Sequence, residues 1–133
     1  MKVGNICRRE VATVTARAPL SEAASLLCAG RADAVVAIAT PADNPTAIGI
    51  ITARDILRAM LDRVDSLNAL TVVEVLSRDQ LVLNQDDELE DALRRLQGRD
   101  IAYAPVVGTG GTLLGAISMH ELLLHRDAAN RPQ

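Results

Sequence analysis

Aromatic side chains are almost missing from this sequence: its 133 residues include no Trp and no Phe, and Tyr103 is the lone Tyr. Any core must therefore be aliphatic, and the flat rings on which single-stranded nucleic acids stack are absent. An excess of one charge is absent too, with 14 Lys and Arg against 17 Asp and Glu and a formal net charge of -3. That balance gives no broad attraction for a phosphate backbone, so nucleic acid is disfavoured as a partner. Long apolar runs are lacking. Stretches such as Ala34 to Ala39 and Ala47 to Ile51 fall far short of the roughly 20 residues a membrane helix needs, so no membrane association is expected. Cysteine is limited to Cys7 and Cys28, which stand apart from each other and from histidine and read as small buried apolar side chains. Met1 to Glu10 carries no apolar run of the signal-peptide kind, so a reducing, cytoplasmic setting is expected. No C-x-x-C or H-x-x-x-H spacing points to a metal, and His120 and His125 share one short helical stretch. No nucleophile, base and orienting group can be assembled, and an enzyme is not expected.

What the chain does have is aliphatic residues, within a hydrophobic fraction of 49%. Its length suits one compact unit, or two halves of about 65 residues that must share a core because such a half is marginal alone. The second half repeats the first. Leu20, Ala23, Ala24 and Leu27 fall on Leu89, Ala92, Leu93 and Leu96 at a shift of 69 residues, and Val3 and Ile6 fall on Val72 and Val75 at the same shift. Gly49, Ile51 and Thr52 fall on Gly115, Ile117 and Ser118 at a shift of 66, the difference lying in the longer loop from Thr40 to Pro45. A turn tip is where a repeat tolerates such a change.

Within each repeat the apolar residues recur at i, i+3, i+4 and i+7, which predicts a helix. Pro19 suits the first helical position and Gly30 the end; in the second copy Asp87 suits the N-cap with Glu90 three residues on, and Gly98 the close. Short aliphatic runs then predict hairpins, Ala34 to Ala39 with Ala47 to Ile51 and Ile101 to Val107 with Leu113 to Ile117. A second helix follows, carrying Ile56, Leu57, Met60 and Leu61 in one copy and Leu122, Leu123 and Leu124 in the other. With leading strands near Val11 to Thr15 and Leu81 to Asn84, each repeat becomes β-α-β-β-α: a three-stranded sheet with helices on one face and an uncovered apolar face on the other. Packing sheet on sheet buries both faces and leaves clefts where loops of the two repeats meet.

Gly49-Ile50-Ile51-Thr52-Ala53-Arg54-Asp55 and Gly115-Ala116-Ile117-Ser118-Met119-His120-Glu121 stand at the strand-to-helix junctions. Thr52 with Asp55, and Ser118 with Glu121, have the spacing of a capping box, which needs no ligand. The same geometry also offers a ligand the N–H groups of a helix N-terminus, a hydroxyl, and a carboxylate able to accept from a ribose diol, with Arg54 as a phosphate fork. His120 reads either as a titrating phosphate contact or as a solvated helix residue, and His125 as a cation near a helix C-terminus. Tyr103 reads as a strand residue with a wet hydroxyl or as a stacking platform.

The repeated β-α-β-β-α unit ending in G-h-h-T-x-R-D resembles the CBS domain, and two in tandem resemble a Bateman module. The likeness covers the chain from about Val3 to about Leu124. It implies an α+β fold of two repeats, residues 1–65 and 66–126, packed sheet to sheet with pseudo-two-fold symmetry and followed by a tail of residues 127–133. It further implies a non-catalytic regulatory module that senses an adenosine-containing ligand (AMP, ADP, ATP, S-adenosylmethionine or NAD) between the repeats, with no covalent cofactor. Carried over by position, one cleft would use Ile50, Thr52, Arg54 and Asp55 facing Ser77, Leu81, Ile101 and Ala102, and this is the preferred site. The other would use Ala116, Ser118, His120 and Glu121 facing Arg8, Ala12, Ala32 and Asp33. It departs from the family pattern, because Glu121 replaces the usual Asp and Asp33 adds an acid opposite any phosphate. Family members also pair through their helices, so a homodimer using Leu57, Met60, Leu61, Leu122 and Leu123 is expected, and an unidentified protein target is possible. The alternative is a ligand-free interaction module that docks another protein.

Overall fold

Three strands and their helices form in each repeat, as the doubled pattern requires. The structure, a computed structural model, describes residues 1–30, 33–39, 45–62, 68–76 and 80–129. The first repeat contains β1 (Thr13–Thr15), α1 (Leu20–Ala29), β2 (Ala34–Ile38), β3 (Ala47–Thr52) and α2 (Ala53–Asp62). The second contains the one-turn α3 (Val72–Val75), then β4 (Leu83–Asn84), α4 (Leu89–Gly98), β5 (Tyr103–Val107), β6 (Leu113–Ser118) and α5 (Met119–Ala129). The sheets run β1-β2-β3 and β4-β5-β6, each with a parallel first pair and an antiparallel second pair. The duplication extends to irregularities: the antiparallel register shifts between Ala37 and Ile38 and again between Val106 and Val107, 69 residues later. The expected loop from Thr40 to Pro45 lies outside the described residues except for Pro45, and so do Ala32, Ser77 and the tail from 130.

Several local expectations shift. β1 and β4 are shorter than the aliphatic runs, because only Thr13 to Thr15 and Leu83 to Asn84 pair with a neighbour. Pro19 sits one place before α1, in extended backbone at φ -64°, rather than at its first position. Asp87 does not cap α4. The helix starts at Leu89 with Glu88 in the cap position, while Asp87 Oδ2 accepts the Asn84 N–H at 2.8 Å and pairs with Arg95 at 3.1 Å. Its carboxylate is drawn back to close the preceding turn instead. Gly98 is the last helical residue, and the left-handed conformation that ends the element falls on Asp100, φ 53°.

The core is divided as the layers require. Val14, Leu20, Ala23, Val35, Ile51 and Ile56 pack between the first sheet and its helices. Leu83, Leu93, Leu96, Val106, Ile117 and Leu122 do the same in the second repeat. A third cluster, Val36, Ile38, Ala47, Ile50 and Val107, is sealed between the two sheets. Thr46 and Thr112, equivalent residues of the two hairpins, bridge each other across the pseudo-two-fold axis.

The leading segments of the two repeats are exchanged. Residues 1–8 lie on the second sheet, where the Val3 N–H donates to the Asp87 carbonyl and the Leu89 N–H to the Met1 carbonyl, both at 2.9 Å. The equivalent bonds recur 69 residues on: Val72 N–H to the Ala18 carbonyl at 3.0 Å, and Leu20 N–H to the Leu70 carbonyl at 2.7 Å. Val3 and Val72 are each 0% exposed inside the other repeat's core. Truncating either leaves a cavity that neighbours fill only in part, so Val3→Ala and Val72→Ala should each cost about 2 kcal/mol. Because each residue is rooted in the opposite repeat, urea unfolding should remain one cooperative transition in both variants. Two resolved transitions would contradict a shared core.

Candidate functional site

Both motifs close as capping boxes. At the start of α2, Asp55 Oδ2 accepts the Thr52 N–H at 2.8 Å and its hydroxyl at 3.0 Å, while Thr52 Oγ1 accepts the Asp55 N–H at 3.3 Å. At the start of α5, Glu121 Oε1 accepts the Ser118 N–H at 3.2 Å and its hydroxyl at 3.1 Å, and Ser118 Oγ accepts the Glu121 N–H at 3.0 Å. The extra methylene of Glu121 therefore does not stop its carboxylate from folding back. The Met119 N–H is also engaged, donating to the Ala102 carbonyl at 2.8 Å.

The first cleft is brought together only in part. Ile50 is buried on β3, Thr52 and Asp55 are half-buried at the start of α2, and Arg54 is exposed beside them. Leu81 is buried, with Ile101 packed against the second repeat's core and Ala102 exposed. Ser77 lies outside the described residues. A residue that the sequence reading missed reaches in: Gln80 Oε1 accepts the Ile50 N–H at 2.9 Å, and its side chain packs where a Cβ on Gly49 would collide with it.

The second cleft encloses a cavity of about 350 Å³ lined by Arg8, Asp33, Ala116, Ser118, His120 and Glu121, six of the residues carried over to it by position. Glu10, Val11, Ala34, Val36, Tyr103 and Ile117 complete its wall with Ile50, which was expected in the first cleft but lines the second. Ala12 opens instead on an adjoining cavity of about 480 Å³ that shares Arg8, Glu10 and Ala34 with it. Arg8 is held by a backbone bridge to Ala116, N–H to carbonyl at 2.9 Å and 3.0 Å in the two directions. Gly115 makes the bridge possible, since any Cβ there would strike the Arg8 carbonyl. The duplication carries a signal for two of the missed residues: Val11 stands 69 residues before Gln80, so both occupy the same place just ahead of their repeat's first strand.

Tyr103 spans the junction, its hydroxyl donating to Asp33 Oδ2 at 3.3 Å across 70 residues of sequence. Burial pushes the phenol above its ordinary value near 10, and the Asp33 charge and hydrogen bond push in the same direction. Burial likewise raises the Cys7 thiol, which makes it a poorer nucleophile; Cys28, expected to be buried, is exposed near the end of α1, and both thiols are free. Among the described residues, no group of three or more His, Cys, Asp or Glu is placed to hold a metal, and no helix is long and apolar enough to cross a membrane.

Two tandem β-α-β-β-α units, packed sheet to sheet with ligand-sized space at their junction, define a paired-repeat α+β module. The family model described as the CBS domain matches residues 3–62 and again 72–127, and the chain belongs to that family. A homoserine O-acetyltransferase from Methanohalophilus mahii is 30% identical over 118 residues, which is 89% of this chain but 23% of that enzyme. The chain spans 23%, 61% and 38% of the length of the three curated relatives that match it first. A CBS domain protein from Pyrobaculum aerophilum, solved in complex with AMP, is 23% identical with a TM-score of 0.79, covering 96% of this chain and 99% of that one. A CBS domain pair in complex with 5'-methylthioadenosine and S-adenosyl-L-methionine is 18% identical with a TM-score of 0.79, covering 98% of each chain. These likenesses show the fold.

The single tyrosine makes the junction spectroscopically visible. With its pKa raised in the folded state, Tyr103 contributes stability that is fully present below the unfolded phenol's value near 10 and is lost as pH rises through the higher folded value. A phenolate absorbance titration should give a midpoint above that of the unfolded chain, and Asp33→Asn should lower it by removing the opposing charge. An unchanged midpoint in the variant would show that Asp33 does not act on the phenol.

Proposed function

We propose that this chain is a non-catalytic regulatory module that binds an adenosine-containing ligand between its repeats. The cavity at the second motif carries this reading: both repeats line it, its walls are largely apolar, and it sits beside the start of α5. Val11, Val36 and Ile50 offer a slot for a planar base, and the Ser118 and Glu121 box lies within reach of a sugar diol. The solved relatives that hold AMP, or S-adenosylmethionine and methylthioadenosine, support the ligand class. This weighting reverses the order of the clefts read from sequence, because the Ile50 N–H of the first is taken by Gln80. Thr52, Arg54 and Asp55, with Ser77, Leu81, Ile101 and Ala102, remain the second candidate. Free thiols at Cys7 and Cys28 support a cytoplasmic setting.

Binding would crosslink the repeats, and it regulates only if the ligand prefers one of two inter-repeat arrangements. At one hundred times its Kd a ligand adds about 2.7 kcal/mol of stability, a rise of roughly 10 °C in Tm for a chain of this size. Thermal melts with AMP, ATP, S-adenosylmethionine and NAD should show such a rise for at least one of them. Glu121→Ala should abolish it relative to the variant's own ligand-free melt, and Asp55→Ala should keep it. The reverse pattern would place the ligand in the first cleft, and no shift with any of the four at millimolar concentration would overturn the reading.

A second reading rests on α2. Leu57 is 59% exposed, Met60 54% and Leu61 87%, whereas Leu122 is fully buried and Leu123 packs on the core. Such an apolar face supports pairing with a second copy. Sedimentation velocity should find a dimer that Leu61→Glu converts to monomer. A monomer at all concentrations would leave α2 as a surface for another protein.

A further inference from the structure

The two clefts are related by the duplication, so the positions where they differ show what each prefers. At the residue before the motif's acid, the first repeat has Arg54 and the second has His120. Asp33 faces the second motif at the position where the other cleft has Ala102. The second cleft has thus exchanged a permanent cation for an imidazole and gained a carboxylate at Asp33, while Arg8 stands where the other cleft has Ser77. Its cavity wall carries Glu10, Asp33 and Glu121 against one permanent cation, Arg8, with His120 exposed at the edge.

The helix N-terminus offers little to offset that charge. A phosphate at such a site is held by free N–H groups, yet those of Ser118, Met119 and Glu121 are already bonded, to Glu121 Oε1, the Ala102 carbonyl and Ser118 Oγ. Glu121 itself occupies the place an anion would take. Asp33, on the wall contributed by the other repeat, accepts one hydrogen bond from Tyr103.

We infer that the second cleft selects adenosine compounds whose 5' substituent is uncharged or cationic, a thioether or a sulfonium, over 5'-phosphates. This rests on the adenosine reading above and adds the discrimination. A phosphate brought near Glu10 and Asp33 is repelled by two carboxylates with Arg8 as the one permanent cation on the wall to offset them, whereas a sulfonium is attracted by both.

Calorimetry on the full chain, in magnesium-free buffer at low salt, would compare adenosine, 5'-methylthioadenosine, S-adenosylmethionine, AMP and ATP. Expected is at least tenfold tighter binding of S-adenosylmethionine than of AMP, with ATP weakest and adenosine and the thioether between. Glu10→Gln and Asp33→Asn should each narrow the gap between S-adenosylmethionine and AMP several-fold, as should added salt. Glu10 is exposed, so its variant tests charge without disturbing the fold. Tightest binding of AMP or ATP, or a gap unchanged in both variants, would overturn the selectivity while leaving adenosine binding intact. No binding of any of the five would overturn the adenosine reading and the selectivity with it.

Discussion

A three-stranded sheet with helices on one side has nowhere to put its other side. In each repeat that second face carries Val36, Ile38 and Ile50, or Val107, and these residues are 8% exposed or less because the opposite sheet covers them. Burial of aliphatic surface is the dominant favourable term in folding, and here it is available only if two repeats meet. The aliphatic composition suits the same geometry: Val, Ile and Ala fill the layer between the two sheets. No polar side chain is buried among the described residues, so the shared layer carries no desolvation cost from unpaired groups. Exchange of the leading segments then ties the repeats a second time, with Val3 closing one core and Val72 the other.

The clefts are a consequence of that union rather than an addition to it. Where two twisted sheets meet, their edges diverge, and the strand-to-helix junctions of both repeats are carried to the openings. The motif residues stand there for a structural reason: Thr52 with Asp55, and Ser118 with Glu121, start their helices whatever else they do. A site that grows from a cap inherits the cap's limits. The capping box satisfies two of the N–H groups that make a helix start attractive to anions, so polarity at the opening depends more on the flanking residues, and the two clefts diverge through them.

Much of this was legible because duplication makes a sequence check itself. The shift of 69 residues aligned Leu20 with Leu89 and Val3 with Val72, and the structure repeats hydrogen bonds at that same shift. The capping boxes were legible as one of two uses of the motif, and helices and hairpins fell where the periodicities changed. What stayed hidden involves partners distant in sequence. That Asp87 turns back to Asn84 and Arg95 instead of capping α4 depends on competing partners, which residue spacing does not rank. That Gln80 takes the Ile50 N–H, and that Tyr103 reaches Asp33, depends on how the two sheets are rotated on each other. No single-repeat pattern contains that rotation.

The same rotation is what a ligand would sense. Residues 1–8 are fastened to the second repeat, and β1 from Thr13 belongs to the first. Glu10 and Val11 lie on the strap between them, and both line the cavity beside Arg8. A molecule held there touches the strap, β2 and β3 of one repeat and β5, β6 and α5 of the other. Interdigitated aliphatic layers slide between discrete packings rather than deforming smoothly. A ligand that fits one strap position better than another therefore shifts the angle between the repeats by its difference in affinity, and by no more than that. Tight binding alone transmits nothing, so under the proposed function any regulation would lie in how unequally the two inter-repeat arrangements accept the ligand.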